Sequence, residues 1–231
     1  MMITQEYLKA KQNTLKNNQL FQKLNSSQYK LNEFAVIAHN ISFWVMSFQD
    51  LLRINLSRIT DREYYQIVQQ HFIEDLGHEK WFLHDLKMMD LEQPNLQVLY
   101  SKPHAAVRDA TFSLMSEVFR ANYDYERIMI ILTLESAGHV FFEYIANFVE
   151  KHNYHHELKY FSNHHLGVEK NHELFEEEIQ ACLNNFQLNY EELNKLFNMI
   201  DRMFQAFELM FDGLAIALPN TRTLEAAINL S

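Results

Sequence analysis

Apolar residues recur along this chain at intervals of three and four, the spacing of one face of an α-helix, most plainly at Phe34, Ile37, Ile41, Trp44 and Phe48. The pattern predicts a helix over approximately Thr4 to Gln22 and a second, opened by Ser26 or Ser27, that carries this stripe. Thr60 followed three residues later by Glu63 forms a capping box for a helix running to about Met89, and Pro94 and Pro103 mark a connector. A further helix begins near His104 and breaks around Asn122 to Asp124. A long apolar segment then reaches Val149, and Asn153 to His156 form a turn. Helices over 157–183 and 189–217 follow, and the stretch LPNTRT ends the regular structure.

Composition agrees with this helical reading. The 4 Gly and 3 Pro in 231 residues leave few turns, while 18 Phe and 11 Tyr supply large side chains for helix interfaces. The fold class is therefore all-α: about six to eight helices in a single domain over 1–231, with its core at roughly 20–217. Thirty acidic against 20 basic residues give a formal charge of −10, which repels nucleic-acid phosphates and anionic membrane surfaces. The single Cys182 can form no internal disulfide, and MMITQEYLKAK lacks the apolar core of a signal peptide, so a cytoplasmic protein is expected. The apolar run FAVIAHNISFWVMSF is broken by His39 and Asn40 and is shorter than the roughly 20 residues of a membrane span, so none is expected.

Three segments place ionisable groups where the helical pattern calls for apolar ones. In HHLGVEKNHELF, His165, Glu169 and His172 interrupt the stripe of Leu158, Phe161, Val168, Phe175 and Ile179. Their offsets lie within about 40° of one line along a helix, so neighbouring members can reach a common centre. A metal ion would explain this; a solvated face, or histidines satisfied by nearby groups, is the alternative. In RIMIILTLESAGHVFFEYIANFV, Glu135 lies among Ile128, Ile131, Leu132, Gly138 and Phe142. A carboxylate there is desolvated unless a cation or strong donor lies opposite. A metal, a salt bridge to Arg127 or Arg120, or protonation would each compensate it. Gly138 leaves room for a ligand beside it, and His139 is a candidate hydrogen-bond partner of a metal ligand or a satisfied core group. In HFIEDLGHEKWFLHDL, His71, Glu74 and His78 share a helical face, with Asp75 slightly rotated from it. Glu74 with His78 matches the pairing by which helical bundles hold metals, whereas His71 reads as an exposed histidine. Trp81 and Phe82 read as core. A bundle can bring all three faces together, and a ligand set of imidazoles and carboxylates without thiolates suits iron or manganese better than closed zinc.

At these residues the sequence resembles the heme-oxygenase-like diiron oxidases and oxygenases, relatives of the chlamydial protein associating with death domains. That family carries a Glu and a His on one core helix, a Glu on the next, and His-x3-(Asp/Glu)-x2-His on a third. Glu74 with His78, then Glu135, then His165, Glu169 and His172 occupy those places in order, within EDLGHEKWF and LESAGHVFF. The place seven before His78 holds His71 instead of a carboxylate, which makes His71 an additional or alternative ligand. The resemblance covers roughly 20–217 and implies two iron ions cycling between Fe2+ and Fe3+, with manganese as a substitute. It also implies dioxygen and a small, partly apolar substrate, of the fatty-acid, amino-acid or amine class, as partners; a homodimer is the assembly considered. The same fold houses heme oxygenases, thiaminase-like (TenA-like) hydrolases and a cofactor-free quinone-forming oxidase. Four scattered glycines do not make a heme-type distal helix, and Cys182 has no thiaminase-type setting. A noncatalytic binding protein and a thiaminase-like or cofactor-free enzyme remain the alternatives to a diiron oxidase.

Overall fold

The computed structural model describes residues 2–26, 29–154, 157–169 and 188–218. The described elements are helical: α1 (Met2–Leu15), α2 (Gln19–Asn25), α3 (Leu31–Asn40), α4 (Ser42–Leu56), α5 (Arg62–Glu74), α6 (His78–Met88), α7 (Leu96–Leu99), α8 (Ala105–Arg120), α9 (Asp124–Lys151), α10 (Asn163–Glu169) and α11 (Tyr190–Ala217). A turn of 3-10 helix at Lys102–His104 precedes α8, with Pro103 inside it, so the proline connector is as expected.

Helix α9 is the centre of the bundle, packed against α1, α2, α10 and α11 with further contacts to α4, α5 and α8. By length and composition alone it is long and apolar enough to cross a membrane, unlike the shorter run at 34–48. In the bundle 61% of its most apolar window is buried, the position of a core helix. The α8–α11 seam is drawn tight in two ways. Gly213 sits so close to Ala106 that a Cβ there would collide with the alanine methyl group. Buried Glu117 accepts two hydrogen bonds from Arg202, at 2.8 and 2.6 Å, and one from Arg120 at 3.0 Å.

Several expected helices are divided. The first is two, because Asn18 ends the turn after α1 and caps α2 through its side-chain oxygen to the Leu20 N–H. The stripe from Phe34 to Phe48 spans two helices that meet at Ile41, where Ser42 Oγ donates to His39 O at 2.6 Å. Ser26 is the C-cap of α2, and Ser27 lies outside the described residues. Asp61, not Thr60, caps α5, accepting from the N–H groups of Glu63 and Tyr64. Thr60 instead donates through N–H and Oγ1 to Asp124, tying the start of α5 to the start of α9. The helix predicted to run from there to Met89 breaks at residues 75–77, where Gly77 takes a left-handed φ of 99°. Residues 158–162 are turns and not the opening of a helix, whereas α11 begins and ends where the sequence indicated.

Candidate metal centre

Ile41 at the α3–α4 joint and the face of α4 carrying Trp44, Val45, Phe48 and Gln49 look across a cavity toward α9, α11 and the α5–α6 junction. The cavity encloses about 690 Å³ of non-atom space including its opening to solvent. Phe141, Phe142, Phe207 and Phe211 line it from α9 and α11, and Asp75, His78, Glu79, Glu135 and His165 supply ionisable groups. A Cβ added to Gly138, also on the wall, would meet nothing within 4 Å, so this glycine does widen the space beside Glu135.

The polar cluster is built from the backbone outward. Asp75 ends α5 as its C-cap and is 4% exposed. Its Oδ1 lies 3.0 Å from His78 Nδ1, and its Oδ2 lies 3.2 Å from His71 Nδ1. One carboxylate thus faces an imidazole on each side of the helix break. A ring nitrogen facing a carboxylate carries the proton, which leaves His78 Nε2 as the lone-pair nitrogen. That atom is buried and has no hydrogen-bond partner among the described residues. His71 is fully buried, and its Nε2 lies 2.9 Å from Glu135 Oε1. His71 therefore spans α5 and α9, presenting one ring nitrogen to each of two carboxylates.

His165 reaches the same cavity from the first turn of α10, at 3% exposure. Its Nδ1 lies 3.0 Å from Tyr160 O, and a carbonyl only accepts, so Nδ1 is protonated and Nε2 holds the lone pair. The loop that places Tyr160 hangs from Asp85, a fully buried carboxylate of α6 that accepts the N–H groups of Lys159 at 2.7 Å and Phe161 at 3.0 Å. Burial pushes the Asp85 carboxyl above its ordinary range, although those N–H groups pull it back. The His78 and His165 rings are 4.6 Å apart between centroids, and the His165 ring is 3.9 Å from that of Phe142.

Of the residues singled out from sequence, His78, Glu135 and His165 line the cavity together. The salt-bridge alternatives for Glu135 do not occur: Arg127 donates to the carbonyls of Val118 and Ala121, and Arg120 pairs with Glu117. Two expectations change. Glu74 points aside, its Oε1 taking a 2.7 Å hydrogen bond from Gln70, and Asp75 stands in the cluster in its place. Because α5 ends at Glu74, the straight-helix geometry that favoured Glu74 over Asp75 does not apply across the break. His71, expected to be exposed, is buried, and it forms with Asp75 and Glu135 a group whose ligand atoms all lie within 4.8 Å of one another. His139 is exposed and outside the cavity wall, one residue round the helix from the face of 134, 135, 138, 141 and 142. Trp81 stacks on His78 at 4.5 Å and Phe82 is fully buried, both as core reading suggests. The Glu169 side chain and all of His172 lie outside the described residues.

The signal for Asp75 was present in the sequence. His71-x3-Asp75-x2-His78 has the same spacing as His165-x3-Glu169-x2-His172. The chain therefore carries the His-x3-acid-x2-His pattern twice, and its first copy is the one that the helix break reshapes.

No family model matches the chain. No curated protein matches it either. Among solved structures, a CADD-like protein of unknown function from Nostoc punctiforme PCC 73102 superposes with a TM-score of 0.66. The match covers 95% of this chain and 100% of that one at 13% identity. The fold is heme-oxygenase-like. At that identity the likeness extends to the path of the helices, and the chemistry of the heme-oxygenase-like bundle rests on its own side chains. Those side chains suit a hard or borderline cation: buried imidazoles with fixed lone-pair nitrogens and a carboxylate at the wall of one cavity.

Proposed function

We propose that this protein is a non-heme diiron oxidase or oxygenase acting on a small, partly apolar organic molecule. The observation that carries the reading is the pair His78 and His165. His78 has its Nδ1 beside Asp75 and its Nε2 without a hydrogen bond among the described residues, His165 has its Nδ1 held by Tyr160 O, and both rings line a cavity shared with Glu135. Histidines that merely fill a core need no such alignment, whereas metal-binding imidazoles are commonly oriented in this way by a carboxylate or a backbone carbonyl.

His78, Glu135 and His165 would hold iron, joined by Glu169 and His172 from the resemblance, and His71, whose Nε2 hydrogen-bonds Glu135, would orient that carboxylate. Iron held there supplies the activation of dioxygen for oxidation of the substrate. The chain's own contribution is positional. Asp75 keeps the proton on His78 Nδ1, Tyr160 O does the same for His165, and Phe141, Phe142, Phe207 and Phe211 bound a space from which an apolar molecule displaces water.

Anaerobic loading with ferrous iron, metal counting and then exposure to oxygen under optical spectroscopy tests the proposal. About two irons per chain and a transient visible band are expected. Absence of tightly held iron together with absence of any oxygen-dependent band would overturn it in favour of a binding protein or a metal-independent enzyme on the same fold.

A further inference from the structure

The cavity wall holds a polar group that the metal ligands do not use. Ile41, just before α4, and positions 44, 45 and 48 on its cavity-facing side are apolar, and the fifth lining position on that side is Gln49. Its Nε2 donates to the backbone carbonyl of Asp75 at 2.7 Å. A carbonyl can only accept, so this bond decides which way the amide faces and fixes Oε1 on the other side. Gln49 Oε1 is buried and has no hydrogen-bond donor among the described residues. Burying an amide oxygen without a donor is unfavourable, and an apolar residue at this position would avoid the loss.

Two other buried atoms without a hydrogen bond belong to cavity-lining residues, and each has an evident counterpart. His78 Nε2 is placed for a metal ion, and Asp75 Oδ2 lies 3.2 Å from His71 Nδ1. Gln49 Oε1 is the acceptor left over. Its residue lines the cavity beside Trp44 and Phe48, and Phe141, Phe207 and Phe211 line the same space.

We propose that the cavity takes an apolar, aromatic-sized molecule carrying an N–H or O–H donor, and that Gln49 Oε1 receives this donor. The proposal rests on the cavity being the substrate site of the function inferred above, and it narrows the substrate class to donor-bearing molecules. The same glutamine holds the Asp75 backbone, so the group that orients the substrate is fixed to the group that orients His78. Substrate registry and ligand registry then share one anchor.

Indole and 1-methylindole form a matched probe pair, since methylation removes the N–H donor with little change in shape and neither compound needs a metal in order to bind. Calorimetric titration of both into the chelator-treated protein is expected to show indole binding about 3- to 10-fold more tightly, the worth of one hydrogen bond to a buried acceptor. Gln49→Met should bind the two equally. Equal affinities in the unaltered protein, or no binding of either compound, would overturn the proposal. So would a preference for indole that survives in Gln49→Met. If Gln49→Met does not fold, the comparison in the unaltered protein decides alone. Failure of the diiron reading is read separately, from the iron content of the unaltered protein.

Discussion

The chemistry of the candidate centre is set by individual protons. Asp75 lies 3.0 Å from Nδ1 of His78 and 3.2 Å from Nδ1 of His71, so one buried carboxylate stands between two imidazoles, and His71 is held through its Nε2 by Glu135. Asp75→Asn keeps the shape but replaces an acceptor oxygen with an N–H2 group. If that group faces His78, the imidazole must turn its lone pair toward it and move the proton to Nε2, where a metal would bind. The expected outcome is an affinity for ferrous or manganous ion lower by about 10- to 100-fold, read by metal titration under buffered conditions. An unchanged affinity would show that Asp75 does not orient the ligands. Sequence legibility at this scale was uneven. His78, Glu135 and His165 stood out because each interrupts an apolar stripe. Asp75 did not, because in a straight helix it is rotated from the face shared by His71, Glu74 and His78, and no local pattern showed that His71 is buried. Gln49 was invisible, since one glutamine beside Asp50 on an amphipathic helix resembles any surface residue until its oxygen is found buried.

At the scale of elements, the sequence showed where helices lie better than where they divide. The long helix α11 and the start of α9 follow directly from caps and apolar spacing, whereas the helix expected from Thr60 to Met89 is α5 and α6 joined by a turn. The division matters for function, because it turns Asp75 toward both flanking histidines. Gly77 sits at the joint with φ at 99° and ψ near zero, a conformation that costs an L-residue about 1–2 kcal/mol. No side chain would collide with a methyl group there, so strain alone is at stake. Gly77→Ala should therefore lower the melting temperature by about 2–8 °C for a domain of this size. An unaltered melting curve would mean that the joint accommodates other geometries and that its φ is not what sets the phase between His71 and His78. The loop at 158–162 was missed for a related reason. Leu158 and Phe161 continue the apolar stripe toward His165, but they are buried by a turn that Asp85 organises from another helix, a long-range cause that local periodicity cannot register.

Across the whole molecule, the centre exists only because distant parts of the chain meet. His71 and Glu135 are 64 residues apart in sequence, and α5, α6, α9 and α10 each contribute to the cluster. An unfolded chain has no such site, so a bound ion adds its binding free energy to folding. With free Mn2+ at about 100 times its dissociation constant the gain is about 2.7 kcal/mol, which corresponds to a rise of about 5–11 °C in melting temperature. His165→Ala should abolish most of that rise. A contrasting variant separates the site from the scaffold. Arg202 neutralises buried Glu117 on the α8–α11 seam, and Arg202→Met leaves the carboxylate with only the largely exposed Arg120. That variant should lose about 1.5–3 kcal/mol of stability, yet it should gain as much from Mn2+ as the unaltered protein, because neither residue lines the cavity. Melting curves with and without Mn2+ for the three proteins check the argument. Identical curves for the unaltered protein in both conditions would remove the metal from this fold, and an undiminished rise in His165→Ala would place the ion elsewhere in the bundle.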